Sequence, residues 1–253
     1  MSCEINIEAT LFCGQSFAWT EEGGQYTAVL GDRVVCFDAQ SLPSLLKEDE
    51  ELAAYFDNDY DYPGAEKYLS LLDPHLERYI AEYRGLRILR QDPWEVLVSF
   101  ILSQNNSIKR IRGLYRRLNE TYGSEMAPGL YTFPRPEQLA RADEDALRAL
   151  GLGFRAPYVL DAVDQHRLLE TIENLDDELG SLQLQRIAGV GPKVASCILL
   201  FGFGRRDVFP LDVWMKRIMS NLYPDKDPSF FSPHGGLAQQ YLFHGYRDEY
   251  GRR

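Results

Sequence analysis

The chain has 253 residues, a length that suits one large domain or two of ordinary size. It is 45% hydrophobic and 26% charged, the composition of a folded protein, and it contains no apolar run near the roughly 20 residues needed to cross a bilayer. Its start has no basic segment followed by an apolar one, so we expect no membrane or secretion, and a cytoplasmic (bacterial nucleoid) or nuclear location.

The charge of the chain is −11 in total, which argues against a nucleic-acid partner, but it is unevenly distributed. Residues 1–83 carry a net charge of −13, whereas residues 84–117 carry +6. Such a basic block is either a solvated helix face or a local footprint for an anionic partner. Charge alone leaves both readings open.

Alternating apolar and polar residues predict strands within 16–40, joined by a turn at 30–33. Two helical stretches follow, at 41–56 and 64–83, separated by the turn formers of 57–64. Further helices are expected at 93–104, 107–122, 135–149, 155–170, 181–188, 192–202, 212–223 and 234–247. The predicted fold class is therefore α+β, mainly α. It comprises a small antiparallel-sheet domain over 1–84 and a helical body over 85–253, with a helix–hairpin–helix at 181–202.

The four cysteines of the chain are scattered, with no CxxC pair and no neighbouring histidine cluster. They are Cys3, Cys13, Cys36 and Cys197. This spacing argues against a disulfide framework, a zinc site and a four-cysteine iron–sulfur cluster. We expect no metal site among the side chains and no required cofactor.

The segment LQRIAGVGPKVASCILL (184–200) has the strongest local signal. An apolar-periodic helix ends at Ile187, and Gly189 and Gly191 make a tight turn that only glycines allow. Pro192 suits the first residue of a second helix. Backbone N–H groups at such a helix start can bind a phosphate. An ordinary glycine turn between two helices would leave the same pattern.

Two residues near this hairpin carry reactive groups. Lys193 falls in the first turn of the second helix, where the helix dipole disfavours an ammonium and favours a nucleophilic amine. Asp212, 19 residues later, could stabilise a developing cation, although capping the following helix is its simpler role. Taken singly, each residue has a structural explanation.

Together these residues resemble the helix–hairpin–helix DNA glycosylases and, more narrowly, the eukaryotic-type 8-oxoguanine DNA glycosylases. The resemblance covers nearly the whole chain in separate blocks that keep one order. Besides the hairpin and VFPLDVWMKRI (208–218), these blocks are CGQSFAW (13–19), LRILRQDPWE (86–95), SQNNSIKRI (103–111), LGLGFRAPY (150–158) and AQQYLF (238–243). Ala18 stands where the family often has arginine, and Trp214 where it often has a histidine near the phosphate.

The resemblance implies roles for six residues at the damaged base. Lys193 would displace the base at C1′ and form a Schiff base with the sugar, while Asp212 would stabilise the developing charge. Cys197 and Phe243 would sandwich a flipped base, and Gln239 would contact its Watson–Crick edge. The Gly14 carbonyl would accept the N7–H that distinguishes 8-oxoguanine from guanine. For Cys197 and Phe243 the alternative is core packing, and for Gly14 a turn.

The resemblance also implies DNA contacts. Asn105 would fill the gap left by the flipped base, Phe154 would act as a wedge, and Arg110 and Arg155 would contact the orphan cytosine. For Arg110 the alternative is a phosphate contact. The other residues expected at the DNA backbone are Gly189, Gly191 and Trp214.

The implied protein is a monomeric, bifunctional glycosylase and AP lyase that acts on 8-oxoguanine opposite cytosine in damaged double-stranded DNA. The hairpin carbonyls could hold a structural cation. The alternatives are a glycosylase for alkylated or other modified bases and a non-catalytic helix–hairpin–helix DNA-binding module. Lys193 argues against the first alternative, because glycosylases for alkylated bases typically lack a lysine at that position. Lys193 together with Asp212 argues against the second, because phosphate binding needs neither residue.

Overall fold

A computed structural model describes residues 4–250, and in it the chain is mainly helical with a three-stranded antiparallel sheet near the N-terminus. The predicted fold class is confirmed. The sheet strands are β1 (Thr20–Glu22), β2 (Gln25–Leu30) and β3 (Arg33–Asp38), and a short hairpin pairs β4 (Glu125–Ala127) with β5 (Leu130–Tyr131). The β4–β5 hairpin was not expected from the sequence.

The helices are bounded as follows. They are α1 (Ile7–Phe12), α2 (Leu42–Glu48), α3 (Glu50–Tyr55), α4 (Tyr62–Leu72), α5 (Pro74–Tyr83), α6 (Pro93–Ser103), α7 (Ile108–Tyr122), α8 (Pro136–Leu139), α9 (Glu144–Ala149), α10 (Ala156–Gln165), α11 (Leu169–Ile172), α12 (Asp177–Leu184), α13 (Pro192–Phe201), α14 (Val213–Leu222) and α15 (Gly235–Tyr250). Short 3₁₀ turns lie at Gly153–Arg155, His166–Leu168 and Pro228–Phe231.

Each of the two helical stretches predicted before residue 84 is interrupted once by an aspartate. Asp49 separates α2 from α3, and Asp73 separates α4 from α5. Both have extended backbones, and their side chains accept hydrogen bonds from N–H groups of the helix that follows. An N-cap of this kind ends one helix and starts the next, so the predicted stretches are helical but divided.

The buried side chains form two clusters. The smaller lies between the sheet, α1, α2 and α3, where Tyr26 opposes Phe37 and Ala28 opposes Val35 on the inner face. The larger fills the helical body and includes residues of α4 and α5. Helices α4 and α5 therefore pack with the body, although they precede residue 84. The domain boundary at residue 84 stays a prediction.

Helix α6 is buried on all sides, as its uniformly apolar sequence predicts. It packs along α13, and Phe100 stacks on Phe201 with ring centroids 5.5 Å apart. The end of α13 lies against the start of α6, since a Cβ on Gly202 would come within 3.0 Å of Pro93. The start of α13 therefore lies beside the end of α6, where the loop that carries Asn105 begins. Within residues 4–250, no helix combines the length and apolar character required to span a membrane.

The basic block at 84–117 does not form one surface. Arg87 is buried with its guanidinium carbon 4.1 Å from the Tyr62 ring centroid, and Arg117 donates to the Leu150 carbonyl. Arg110, by contrast, is exposed beside the loop between α6 and α7. Part of the positive charge of this block therefore supports the interior, and only its exposed part is available to an anionic partner.

Candidate functional site

A cavity of about 850 Å³ opens between α6, α13, α15 and the chain after α1. It brings together nine of the residues singled out in the sequence. They are Gly14, Asn105, Arg110, Lys193, Cys197, Asp212, Trp214, Gln239 and Phe243. The remaining four, Phe154, Arg155, Gly189 and Gly191, do not line it. Residues more than 200 positions apart therefore share one cavity.

The hairpin between α12 and α13 requires glycine at only one of its two glycine positions. Gly189 has φ +79°, and a Cβ there would lie 2.4 Å from the Tyr158 ring. Gly191 is extended, with φ −93°, and a Cβ there would meet no atom within 4 Å. The expectation that the turn itself needs both glycines is therefore wrong for Gly191, whose open side leaves room for a ligand to approach.

Lys193 lies in the first turn of α13 and points into the cavity over an aromatic ring. Gly191 is the N-cap of this helix and Pro192 its first residue, as predicted. The Lys193 Nζ lies 4.8 Å from the Phe100 ring centroid, within range of a cation–π contact. The contact holds the amine at the cavity wall.

Cys197, one helical turn after Lys193, is 2% exposed. Burial raises the pKa of its thiol. The adjacent Lys193 opposes this pKa increase through charge and a hydrogen bond, and the charge of Asp212 reinforces it. The amine and the carboxylate therefore both act on this thiol.

Asp212 caps α14 and lines the cavity at the same time. Its Oδ1 accepts a hydrogen bond of 2.7 Å from the Met215 N–H, as the N-cap reading predicts. Its Oδ2 accepts no hydrogen bond from any residue between 4 and 250. One oxygen thus fixes the carboxylate, and the other stays available.

Gly14 follows α1 in the left-handed region, with φ +100°. Its neighbour Gln15 fastens the turn, since its Nε2 donates to the Thr10 and Arg87 carbonyls at 2.9 and 2.7 Å and its Oε1 accepts from the Leu89 N–H at 2.9 Å. No described residue donates a hydrogen bond to the Gly14 carbonyl. The turn is therefore rigid and carries a free acceptor.

Gln239 and Phe243 project from α15 at a spacing of four residues, which places them on one helix face. Gln239 is 4% exposed and accepts a hydrogen bond of 2.7 Å from the side chain of its neighbour Gln240. The Arg247 guanidinium carbon lies 4.9 Å from the Phe243 ring centroid. This helix thus supplies an amide and a ring to the cavity.

The loop after α6 is held from beneath by Arg155. Its guanidinium donates to the Gln104 carbonyl at 3.0 Å and to the Asn105 carbonyl at 3.1 Å. Asn105 has φ +48°, uncommon for a residue with a side chain. Burial, and then the charge of Arg110, lowers the pKa of Arg155. In this structure Arg155 is directed at the protein backbone, whereas Arg110 is exposed.

Two aromatic side chains flank the site. Phe154 is 48% exposed, and the Arg155 guanidinium carbon lies 4.3 Å from its ring centroid. Trp214 lines the cavity with the Arg217 guanidinium carbon 5.1 Å from its ring centroid. An exposed ring on a 3₁₀ turn suits insertion between bases.

Several cavity residues were not identified from the sequence. Among them are Cys13, Phe17, Phe100, Gln240, His244, Arg247 and Asp248. Cys13 and Gln240 are the sequence neighbours of Gly14 and Gln239, which were identified. That neighbouring position was the one signal in the sequence that could have pointed to them. Their contact joins residues 227 positions apart, which no local pattern reports.

Among residues 4–250, no three histidine, cysteine or acidic side chains gather as a metal site. The Ala188, Gly189 and Val190 carbonyls accept no hydrogen bond within the same range, and carbonyl oxygens suit a hard cation. The structural cation at the hairpin stays a prediction.

Comparison with known proteins identifies the family of the chain. Residues 2–97 match the family described as 8-oxoguanine DNA glycosylase, N-terminal domain, and residues 98–229 match the HhH-GPD superfamily base excision DNA repair proteins. A probable N-glycosylase/DNA lyase of Methanothermobacter thermautotrophicus is 33% identical over 70% of this chain and 65% of its own length. The chain therefore spans about two thirds of that relative.

Two solved structures are similar along almost their full length. MBOgg1 in complex with a low-affinity DNA ligand has a TM-score of 0.87 and 37% identity, over 98% of this chain and 93% of that one. The Clostridium acetobutylicum 8-oxoguanine glycosylase/lyase, bound to duplex DNA with cytosine opposite 8-oxoguanine, has a TM-score of 0.84 and 32% identity over the same shares.

This chain belongs to the HhH-GPD superfamily of base excision DNA repair proteins and, within it, to the 8-oxoguanine DNA glycosylases. The resemblance carried by the sequence blocks is confirmed, as is the prediction that the chain is an enzyme. The non-catalytic alternative is wrong.

Proposed function

We propose that this chain removes 8-oxoguanine opposite cytosine from duplex DNA by attack of Lys193 at C1′ and then cleaves the strand through the resulting Schiff base. The observation that carries the proposal is the shared cavity, in which Lys193 and Asp212 face Gly14, Gln239 and Phe243. The named relatives support the substrate and the lyase step.

The chemistry follows from the groups at the cavity wall. The Lys193 amine bonds to C1′ while the C1′–N9 bond breaks and its electron pair leaves with the base. Positive charge on the sugar grows as that bond breaks, and the free Oδ2 of Asp212 stabilises it. The bound amine gives up a proton to the departing base, leaving C1′ bonded to the lysine nitrogen and to O4′. Breaking the C1′–O4′ bond, with a proton taken up by O4′, then gives the Schiff base, and loss of a C2′ proton from it expels the 3′ phosphate and breaks the strand.

Recognition of the lesion requires the nucleotide outside the helix, since its base edge is inaccessible in a stacked duplex. The free Gly14 carbonyl accepts the N7–H that 8-oxoguanine has and guanine lacks. Guanine would place its N7 lone pair against that oxygen. Both acceptors would then lose their hydrogen bonds to water without gaining a donor, which disfavours binding of guanine. The rigidity of the Gln15-anchored turn supports this role, because the carbonyl cannot move away.

Preference for cytosine rests on Arg110, whose fork of donors suits the N3 and O2 acceptors of that base. Arg155 supports the loop beside it and would have to release the Gln104 and Asn105 carbonyls to reach a base. The Clostridium relative in complex with cytosine opposite 8-oxoguanine supports this preference. Lys193 in the cavity favours this reaction over excision of alkylated bases. The monomeric state stays part of the proposal.

The proposal is tested by borohydride trapping on a duplex containing 8-oxoguanine opposite cytosine. The unmodified protein should form a covalent protein–DNA adduct and Lys193→Gln should form none, because an amide cannot make a Schiff base. Lys216→Gln, on the exposed side of α14, is the matched control and should be trapped like the unmodified protein. An adduct that persists in Lys193→Gln would overturn the assignment.

A further inference from the structure

Three buried polar side chains form a row that ends in the cavity. The Cys13 thiol lies 3.2 Å from Gln240 Oε1, and Gln240 Nε2 lies 2.7 Å from Gln239 Oε1. Cys13 is 1% exposed, and both glutamines are 4% exposed. The row joins the turn after α1 to the last helix, across 227 residues of sequence.

The hydrogen bonds of this row all point the same way, from Cys13 toward Gln239. Burial raises the pKa of Cys13 to about 11, so the thiol keeps its proton at neutral pH and donates it. Its shorter contact is with Gln240 Oε1, since the Thr10 carbonyl lies at 3.6 Å. Gln240 therefore turns its NH₂ toward Gln239, whose oxygen must be the acceptor. Gln239 Nε2 makes no hydrogen bond to the described part of the chain.

The orientation of the Gln239 amide matters because guanine-type and adenine-type edges present their hydrogen-bond donor and acceptor in opposite order. A guanine-type edge presents an acceptor at O6 beside a donor at N1, whereas an adenine-type edge presents a donor at N6 beside an acceptor at N1. A freely rotating glutamine serves either edge, because turning the amide by 180° exchanges its oxygen and nitrogen. A glutamine held in one orientation serves only one edge.

We propose that Cys13 and Gln240 are positioning residues that hold the Gln239 amide in one orientation and thereby select guanine-type over adenine-type oxidised bases. The inference rests on the proposed function, in which Gln239 contacts the Watson–Crick edge. The Gln239 oxygen keeps one lone pair for N1–H after accepting from Gln240, and its free NH₂ faces O6.

The test compares single-turnover excision of 8-oxoguanine and 8-oxoadenine by variants of Gln240. Gln240→Glu presents only acceptor oxygens, so the Gln239 NH₂ should turn toward it and the amide should reverse. The excision rate of 8-oxoguanine divided by that of 8-oxoadenine should fall at least roughly tenfold, because a tenfold change corresponds to the loss of about one hydrogen bond. Gln240→Met, which leaves the amide unheld, should lower the ratio less.

Variants of Cys13 test the other end of the row. Cys13→Ala removes the donor and should lower the ratio, whereas Cys13→Ser keeps a donor and should restore it. Cys36→Ala, at the exposed cysteine of β3, is the matched control and should leave the ratio unchanged. A purely structural role would lower both rates together and leave their ratio intact.

Strand cleavage at a preformed abasic site separates the two possible failures. This reaction needs Lys193 but has no base to recognise, so every folded variant should perform it like the unmodified protein. Failure of the unmodified protein to excise 8-oxoguanine would overturn the proposed function. If it excises 8-oxoguanine and the ratio is unchanged in both Gln240→Glu and Gln240→Met, the inference is overturned.

Discussion

At the scale of single residues, Asp212 serves the fold and the cavity with different oxygens. Because asparagine is as good an N-cap as aspartate, Asp212→Asn keeps the hydrogen bond to Met215 and removes only the charge. We expect single-turnover excision to fall roughly 10²-fold or more, since the lost interaction forms in the transition state. The urea midpoint should stay close to that of the unmodified protein.

A control for this substitution exists on another helix. Asp176 caps α12 in the same way, accepting from the Leu179 N–H at 2.8 Å, but does not line the cavity. Asp176→Asn should change neither the rate nor the midpoint. An unchanged rate in Asp212→Asn would show that Asp212 is only a helix cap.

The exposed Arg110 allows a test of base against phosphate contact. If Arg110 reads the orphan base, Arg110→Ala should narrow the difference in excision rate between cytosine and adenine opposite 8-oxoguanine, because a lost bidentate contact is worth about 1–3 kcal/mol. Arg116→Ala, exposed on the same helix and paired with Glu120, serves as the control. If Arg110→Ala instead weakens DNA binding equally on all duplexes and lowers the salt dependence of the binding constant by about one counterion, Arg110 contacts a phosphate.

At the scale of elements, the two hairpin glycines make opposite demands. Gly189→Ala would force a Cβ against the Tyr158 ring at a positive φ, so we expect about 2 kcal/mol or more of lost stability. Gly191→Ala meets open space and should cost less than about 0.5 kcal/mol. Urea unfolding of both variants measures the difference. Equal losses would show that the ring contact does not constrain the turn.

The sequence predicts elements with a strong local signal and misses those without one. The helix of 93–104 follows from its apolar sequence after Pro93, and the hairpin follows from its glycines and Pro192. Helix α1 has six residues and β5 has two, too short for a period to register. Lys193 and Asp212 were found through their spacing and the family resemblance. Cys13 and Gln240 were missed because only the folded chain brings them together.

At the scale of the whole molecule, one buried carboxyl group links stability to pH. Burial raises the pKa of Glu95 to about 7, while Tyr115 donates a 2.8 Å hydrogen bond to it. The folded protein thus binds a proton between about pH 4.5 and 7 that the unfolded chain releases, so this group's contribution is full below that range and is lost as the pH rises through it.

Glu95→Gln should remove this dependence while keeping an acceptor for Tyr115. The free energy of unfolding of the variant should exceed that of the unmodified protein by up to about 3 kcal/mol at pH 8, and by little at pH 4.5. Urea midpoints measured at both pH values give the comparison. A gain of the same size at both would mean that packing, and not protonation, sets the difference.

The contact between Cys13 and Gln240 also bears on how the protein is made. A nascent chain emerges from the ribosome N-terminus first, at roughly 5–20 residues per second. The reactive lysine therefore leaves the ribosome before the helix that supplies Gln239 and Phe243. A chain arrested before residue 239 would carry the amine without one wall of the cavity that discriminates among bases. Base discrimination is thus completed after the reactive amine has emerged, when the helix that carries Gln239 packs against the turn at Gly14.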